Sequence, residues 1–394
     1  MREIIKDLFY VGVNDRVKTL FEGLWPLPVG VSYNSYLLKD SKTVLFDTVE
    51  SDYAGLFFHH LEDILDGRKL DYLVINHMEP DHSGSIAILK KRFPEIQIVG
   101  NKRTLDMLSG YYSISDNVIL VEDGEELDLG NHKLKFFLTP MVHWPETMMT
   151  FETTTGTLFS GDAFGCFGSL DGGVTDIQLN LDKYWDEMIR YYSNIVGKYG
   201  SPVQKALKKT ESLSIQTICS THGPVWTAKE NIEKVVGIYD RLSRYEAEDG
   251  VVIAYASMYG HTEGVAEMIA SELSLRGIKN IVVHNLSITD PSYVIRDVFK
   301  YNTLIVGSPT YNNQLFPKVE SFLSQIQARD IKNRYFACFG SFSWAGAAVK
   351  HLISFSENSN FELLGEPVEM KQAQFDSIRE KVKSLSQAIA EKLK

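Results

Sequence analysis

Cysteine is scarce in this sequence. Cys166, Cys219 and Cys338 are the only three in 394 residues, and no two form a CxxC pair. An odd, scattered set argues against a disulfide framework and predicts buried thiols in a reducing, cytoplasmic compartment. Long apolar runs are also missing: nowhere do the roughly 18–20 apolar residues of a bilayer-spanning helix follow one another. The opening residues MREIIKDLFY lack the apolar core of roughly 7–15 residues expected of a secretory leader. Positive charge is in deficit, with 40 Lys and Arg against 51 Asp and Glu, and no basic run relieves the net charge of -11. Nucleic acid and anionic membranes are thereby excluded as expected partners, because their phosphates would be repelled. No GxGxxG follows a strand-like run, so direct NAD(P)H binding is not expected.

What is present is ordinary globular material, 44% hydrophobic and 23% charged, long enough for two or three cores. The character changes near residue 248. Helical periodicity over 232–245 gives way to the polar stretch 246–250, and a short apolar β-rich run, 251–256, follows. From there strand and helix alternate, with strands near 280–284, 303–307 and 335–339 and helices at 263–276, 291–300 and 317–328. Such alternation predicts a doubly wound parallel sheet over 249–394. Residues 1–248 read differently. Strand candidates at 7–11, 35–38, 43–47, 72–75, 97–99, 134–138, 148–153 and 156–160 are joined by short turns, with helices at 53–65 and 84–92. Two mixed sheets packed together with helices outside, an αββα sandwich, fit this pattern.

Within the first region, metal-capable side chains gather after strand-like runs. The segment Asn76-His77-Met78-Glu79-Pro80-Asp81-His82-Ser83-Gly84 holds four of them, and Pro80 precludes a regular helix through most of it. His143, Asp162 and His222 follow, each beside Gly, Pro or Trp in a setting suited to a tight turn. A lone histidine is ordinarily a hydrogen-bonded core or surface residue. Ligands at alternating positions of one strand-end loop, with three more in series, rarely arise from packing.

These residues carry a resemblance. The N-terminal region resembles the metallo-β-lactamase fold, whose hydrolases usually show HxHxDH where this chain has His77-x-Glu79-x-Asp81-His82. Glu79 in place of the second histidine, the spacing to His143, Asp162 and His222, and the segments Phe21-Glu-Gly-Leu-Trp-Pro26, Gly30-Val-Ser-Tyr-Asn34 and His143-Trp-Pro-Glu146 resemble the flavodiiron proteins. These are the A-type flavoproteins, rubredoxin:oxygen oxidoreductases and NO reductases. The resemblance implies two non-haem irons: one held by His77, Glu79 and His143, the other by Asp81, His82 and His222, with Asp162 bridging. Carboxylate-rich N/O ligation suits iron cycling between two charge states. Asp47, which matches an acidic position of the wider superfamily, is read as either a partner near a ligand histidine or a turn aspartate.

The second region carries its own signature. Ser257-Met258-Tyr259-Gly260-His261-Thr262 resembles the flavodoxin phosphate loop, with hydroxyls and a helix N-terminus in place of Lys or Arg. Ser308-Pro309-Thr310-Tyr311-Asn312 and the loop of Gly340, Ser341, Phe342, Ser343, Trp344 and Gly346 follow later strands. In a doubly wound sheet all three loops share the carboxyl edge where ligands bind. The predicted cofactor is FMN, with Tyr311 and Trp344 as candidate stacking partners.

Together these imply a flavodiiron oxidoreductase in which FMN relays electrons to the di-iron site, which reduces O2 to water and/or NO to N2O. No CPxCG pair is present, so a fused rubredoxin is not expected and the donor is a separate rubredoxin or similar carrier, with an F420-type donor as an alternative. The resemblance further implies a head-to-tail homodimer or a dimer of dimers. Two rival readings are a zinc hydrolase of the same fold, against which Glu79 argues, and a pure flavodoxin-type carrier, which leaves the metal-capable set without use.

Overall fold

The computed structural model describes residues 3–393 and divides the chain into two compact units, Met1–Ser243 and Arg244–Lys394. Among the described residues, no helix is long and apolar enough to cross a membrane.

The first unit holds a seven-stranded and a five-stranded sheet. Both are mixed. Tyr36–Lys39 and Thr43–Phe46 pair antiparallel, whereas Thr43–Phe46, Tyr72–Val74 and Gln97–Gly100 run parallel. In the second sheet Lys133–Leu138, Met148–Glu152 and Thr157–Gly161 form an antiparallel ladder, to which Thr217–Ser220 adds in parallel. The sheets meet face to face: Phe46 and Phe159 stack at 3.6 Å between ring centroids, and both are buried. Full burial of a phenylalanine contributes about 1.5–3 kcal/mol, so this pair is a principal tie between the layers. The expected sandwich is present, and His77, Asp162 and His222 follow the carboxyl ends of strands drawn from both sheets.

As expected, no regular helix runs through most of the 76–84 segment; Pro80 opens a single turn, Pro80–Ser83, with Glu79 at its N-cap. At the first helical position the missing N–H has no intrahelical partner to lose, and the fixed φ suits the helix.

The second unit is a parallel sheet in the order Ile281–Asn285, Glu248–Tyr255, Tyr301–Pro309, Tyr335–Phe342, with Glu362–Leu363 and Val368–Lys371 both pairing the last of these. Val251, Ile253, Ile305, Ala337 and Phe339 form its buried centre against the helices His261–Leu275 and Phe375–Lys392. The division at 243/244 precedes the expected 248/249. Residues 246–250, read as a polar connection, contain the start of the strand Glu248–Tyr255. That edge is polar because it projects beyond the core, and Glu248 and Asp249 are exposed.

Candidate metal centre and flavin loops

The loop carrying His77 is fixed before any ligand is considered. Asp47 accepts from the backbone N–H groups of Asn76 (2.8 Å) and His77 (3.2 Å) and from the Asn76 side chain (2.9 Å). Asn76 also accepts from Thr150 Oγ1 (2.8 Å), and its carbonyl accepts from the Met148 N–H (3.0 Å), tying the loop to the opposite sheet. Asp47 is therefore bonded to the backbone of His77, not to its imidazole. The imidazole is held by Glu146, whose Oε1 lies 2.8 Å from His77 Nδ1. In the sequence, Glu146 is marked only by its place three residues after His143 in His143-Trp-Pro-Glu146.

Seven side chains then converge as two groups, His77–Glu79–His143–Asp162 and Asp81–His82–His222, each with ligand atoms within 4.8 Å of one another. Asp162 faces both. Its Oδ2 is 3.0 Å from His143 Nε2 and 3.5 Å from His77 Nε2, while Oδ1 is 3.1 Å from His82 Nε2 and 3.8 Å from His222 Nε2. His82 and His222 point their Nε2 atoms at each other across 3.0 Å. Two imidazole nitrogens facing each other at that distance cannot both keep a proton, and Asp81 Oδ2 lies 3.3 Å from each of them while forming a hydrogen bond with neither. A divalent ion in each group satisfies them, so the residues fit a metal pair.

Electrostatics point the same way. Burial alone would depress His82 and His143, but the carboxylates beside them (Asp81 and Asp162 for His82, Asp162 and Glu79 for His143) push both up to about 9. Asp162, for which burial acts upward, is held well below the usual carboxylate range by the surrounding imidazoles. An entering ion therefore competes with protons for these imidazoles. Affinity for zinc or cobalt is expected to rise as pH increases from about 6 to about 9, because the imidazoles are protonated below the upper value and free above it. A competition titration across that range measures this; a flat response rules it out.

Two residues without an assigned role in the sequence lie beside the groups. Tyr191 is fully buried with its ring 5.5 Å from that of His222, and its hydroxyl has no hydrogen-bond partner. Glu22, exposed as a residue, has its carboxyl far enough from water and near enough to Glu79 that it rises to about 7. Tyr191 carries no sequence signal beyond its aromatic neighbours, and Glu22 only its place in the segment Phe21-Glu-Gly-Leu-Trp-Pro26.

In the second unit the three predicted loops meet at the carboxyl edge of adjacent parallel strands. Ser257, Met258, Tyr259, His261, Thr262, Pro309, Thr310, Ser341, Phe342 and Ser343 border one cavity, joined by Gln372, which the sequence reading missed. Gly260 (φ 86°) makes the turn, its N–H donating to Ser257 Oγ at 3.0 Å. Thr262 and Ser341 hydroxyls share a 2.8 Å hydrogen bond, and Thr310 Oγ1 accepts from the N–H groups of Ala347 and Ala348. Ser308 and Gly340 are buried within their strands, and Gly346 borders a separate groove beside Lys350 and Glu369. Tyr311, Asn312 and Trp344 are exposed; Trp344 at 89% presents almost its whole indole to an incoming ring. Hydroxyls, a helix N-terminus at His261–Leu275 and no lining Lys or Arg among the described residues fit a flavin phosphate.

Both units match known protein families. Residues 31–223 match the ODP family beta-lactamase domain, and residues 253–384 match flavodoxin. The chain is 32% identical to a nitric oxide reductase of Moorella thermoacetica, covering 92% of this chain and 91% of that one. It is 32% identical to an anaerobic nitric oxide reductase flavorubredoxin of Vibrio vulnificus, covering 90% and 73% respectively. Among solved structures, rubredoxin oxygen:oxidoreductase from Desulfovibrio gigas superposes with a TM-score of 0.94 at 29% identity, over 99% of this chain and 98% of that one. A flavo di-iron protein from Thermotoga maritima gives 0.89 at 27%, over 98% and 96%. The chain belongs to the flavodiiron family: it is an oxidoreductase whose cofactors are FMN and a pair of non-haem irons.

Proposed function

We propose that this enzyme reduces O2 to water, NO to N2O, or both, using electrons that FMN receives from a separate rubredoxin-type carrier. The observation that carries the reading is Asp162, whose two carboxylate oxygens are turned to two different imidazole–carboxylate groups. A single metal has no need of that arrangement, whereas a metal pair does, and Glu79 in place of a neutral imidazole favours iron over zinc in that pair. His77, Glu79 and His143 would hold one iron, Asp81, His82 and His222 the other, and Asp162 would bridge. When bound, the irons and the flavin supply the electrons and the Lewis acidity for gas reduction.

The chain's own residues prepare the space. Phe21, Phe167 and Tyr191 pack edge-on near His222, at ring distances of 5.0–6.2 Å, and exclude bulk water from that side. Burial, with the charges of Asp162 and Glu79, keeps the Tyr191 hydroxyl protonated, so it can donate to a small ligand beside His222. On the second unit Ser257, Thr262 and the following helix N-terminus would bind the FMN phosphate, with Trp344, Tyr259 and Tyr311 about its rings. A head-to-tail homodimer or a dimer of dimers would bring one chain's flavin to another's metals. Three buried free cysteines support a cytoplasmic setting.

Anaerobic stopped-flow mixing of the fully reduced enzyme with each gas in turn tests the reading. Flavin reoxidation within a turnover is expected with at least one of them. Failure with both, in protein holding two irons and FMN, would overturn it.

A further inference from the structure

The imidazoles of the two metal groups are not supported alike. His222 Nδ1 donates to the Ser32 carbonyl at 2.7 Å, a neutral acceptor, and His82 Nδ1 is buried with no partner. His77 Nδ1 instead meets a carboxylate, Glu146 Oε1, at 2.8 Å. Glu146 is completely buried, and the same oxygen accepts the Met78 N–H at 3.0 Å. Its other oxygen, Oε2, has no hydrogen-bond partner, and among the described residues its one ion-pair partner is His77.

A buried carboxylate with one bare oxygen and no Lys or Arg is costly unless a positive charge offsets it. The charge within reach is the one that His77 carries at its far nitrogen. A carboxylate on Nδ1 fixes the tautomer and makes Nε2 a stronger donor, which favours the more highly charged state of a metal bound there. Among the described residues no carboxylate bonds Nδ1 of His82 or of His222; the charge of Asp47 reaches His82 only through space.

We propose that Glu146 is a positioning residue that makes the two metal positions unequal, so that the iron on His77, Glu79 and His143 is oxidised first. The inference rests on the di-iron reading above. In the step concerned, that ferrous iron loses one electron to a one-electron oxidant such as ferricyanide and becomes ferric. No bond between heavy atoms breaks, and no proton transfer is required.

The variant Glu146→Gln keeps the shape and one acceptor but removes the charge. Stepwise oxidation of the di-iron protein, followed by the electron paramagnetic resonance of its half-oxidised state, is expected to show the first midpoint raised. A tenfold shift in the oxidation equilibrium is about 59 mV for one electron. Iron content should stay at two per chain, and Glu146→Asp should restore part of the shift. Unchanged midpoints in a two-iron Glu146→Gln protein overturn the inference while leaving the di-iron reading intact; wild-type protein that cannot hold two irons overturns both. A measurement without any variant guards against misfolding: anomalous diffraction across the iron edge on half-oxidised wild-type crystals. The higher edge energy is expected at the iron on His77, and its appearance at the iron on His222 overturns the proposal.

Discussion

Asp162→Ala is expected to lower gas turnover by well over the roughly 10–100-fold that loss of an outer hydrogen-bonding partner costs, and to leave fewer than two irons per chain. One carboxylate serves both groups, with Oδ2 at 3.0 Å from His143 Nε2 and Oδ1 at 3.1 Å from His82 Nε2. Alanine removes a ligand from each group at once and leaves Thr221 Oγ1, now 2.5 Å from Oδ1, without its acceptor. FMN should remain bound, since its loops belong to the other unit. Iron analysis, the flavin absorption spectrum and turnover in one preparation separate these effects. Wild-type turnover with two irons retained would remove Asp162 from the bridging role.

Gly223→Ala should destabilise the first unit by more than about 3 kcal/mol, the sum of a left-handed backbone penalty of about 1–2 kcal/mol and a steric clash. The residue has φ 75°, and an added Cβ would stand 2.3 Å from Cys166 Sγ and 3.3 Å from the Cys166 backbone. Its N–H donates to Ser32 Oγ at 2.8 Å and its carbonyl accepts from Asn34 Nδ2 at 2.8 Å, so it cannot shift without disturbing the strand that also receives His222 Nδ1. At about 2–4 °C per kcal/mol for a unit of this size, the first melting transition should fall by about 6–12 °C, and iron affinity should drop with it. Calorimetry of the full chain checks this; an unchanged transition would show that Cys166 yields freely.

The legibility of this chain differed by element for physical reasons. The helices Pro291–Lys300 and Pro317–Ala328 could be bounded from sequence because a proline begins each and a strand or polar turn ends it. The seven metal-capable residues were legible because their chemistry is unusual at strand ends. Glu146 and Asn76 were not, since their roles come from contacts across 69 and 74 positions of sequence, to His77 and to Thr150. Gln372 was equally hidden: it reaches the flavin cavity from beyond the strand Val368–Lys371 in a left-handed backbone state that no glycine announces. The single turn Pro80–Ser83 was hidden because proline, which interrupts a helix from within, is accommodated at its first position.

The bonds that Asn76 makes to Asp47, Thr150 and Met148 contain no metal, yet they set where His77 stands. In small zinc-finger domains the ion itself drives folding, and chelation unravels the chain. Here the apoprotein has a sandwich of two sheets to fold around, and the cradle is shaped in advance. Iron is therefore expected to load after folding, and chelation to empty the site without unfolding the sandwich, which far-UV circular dichroism before and after chelation would check.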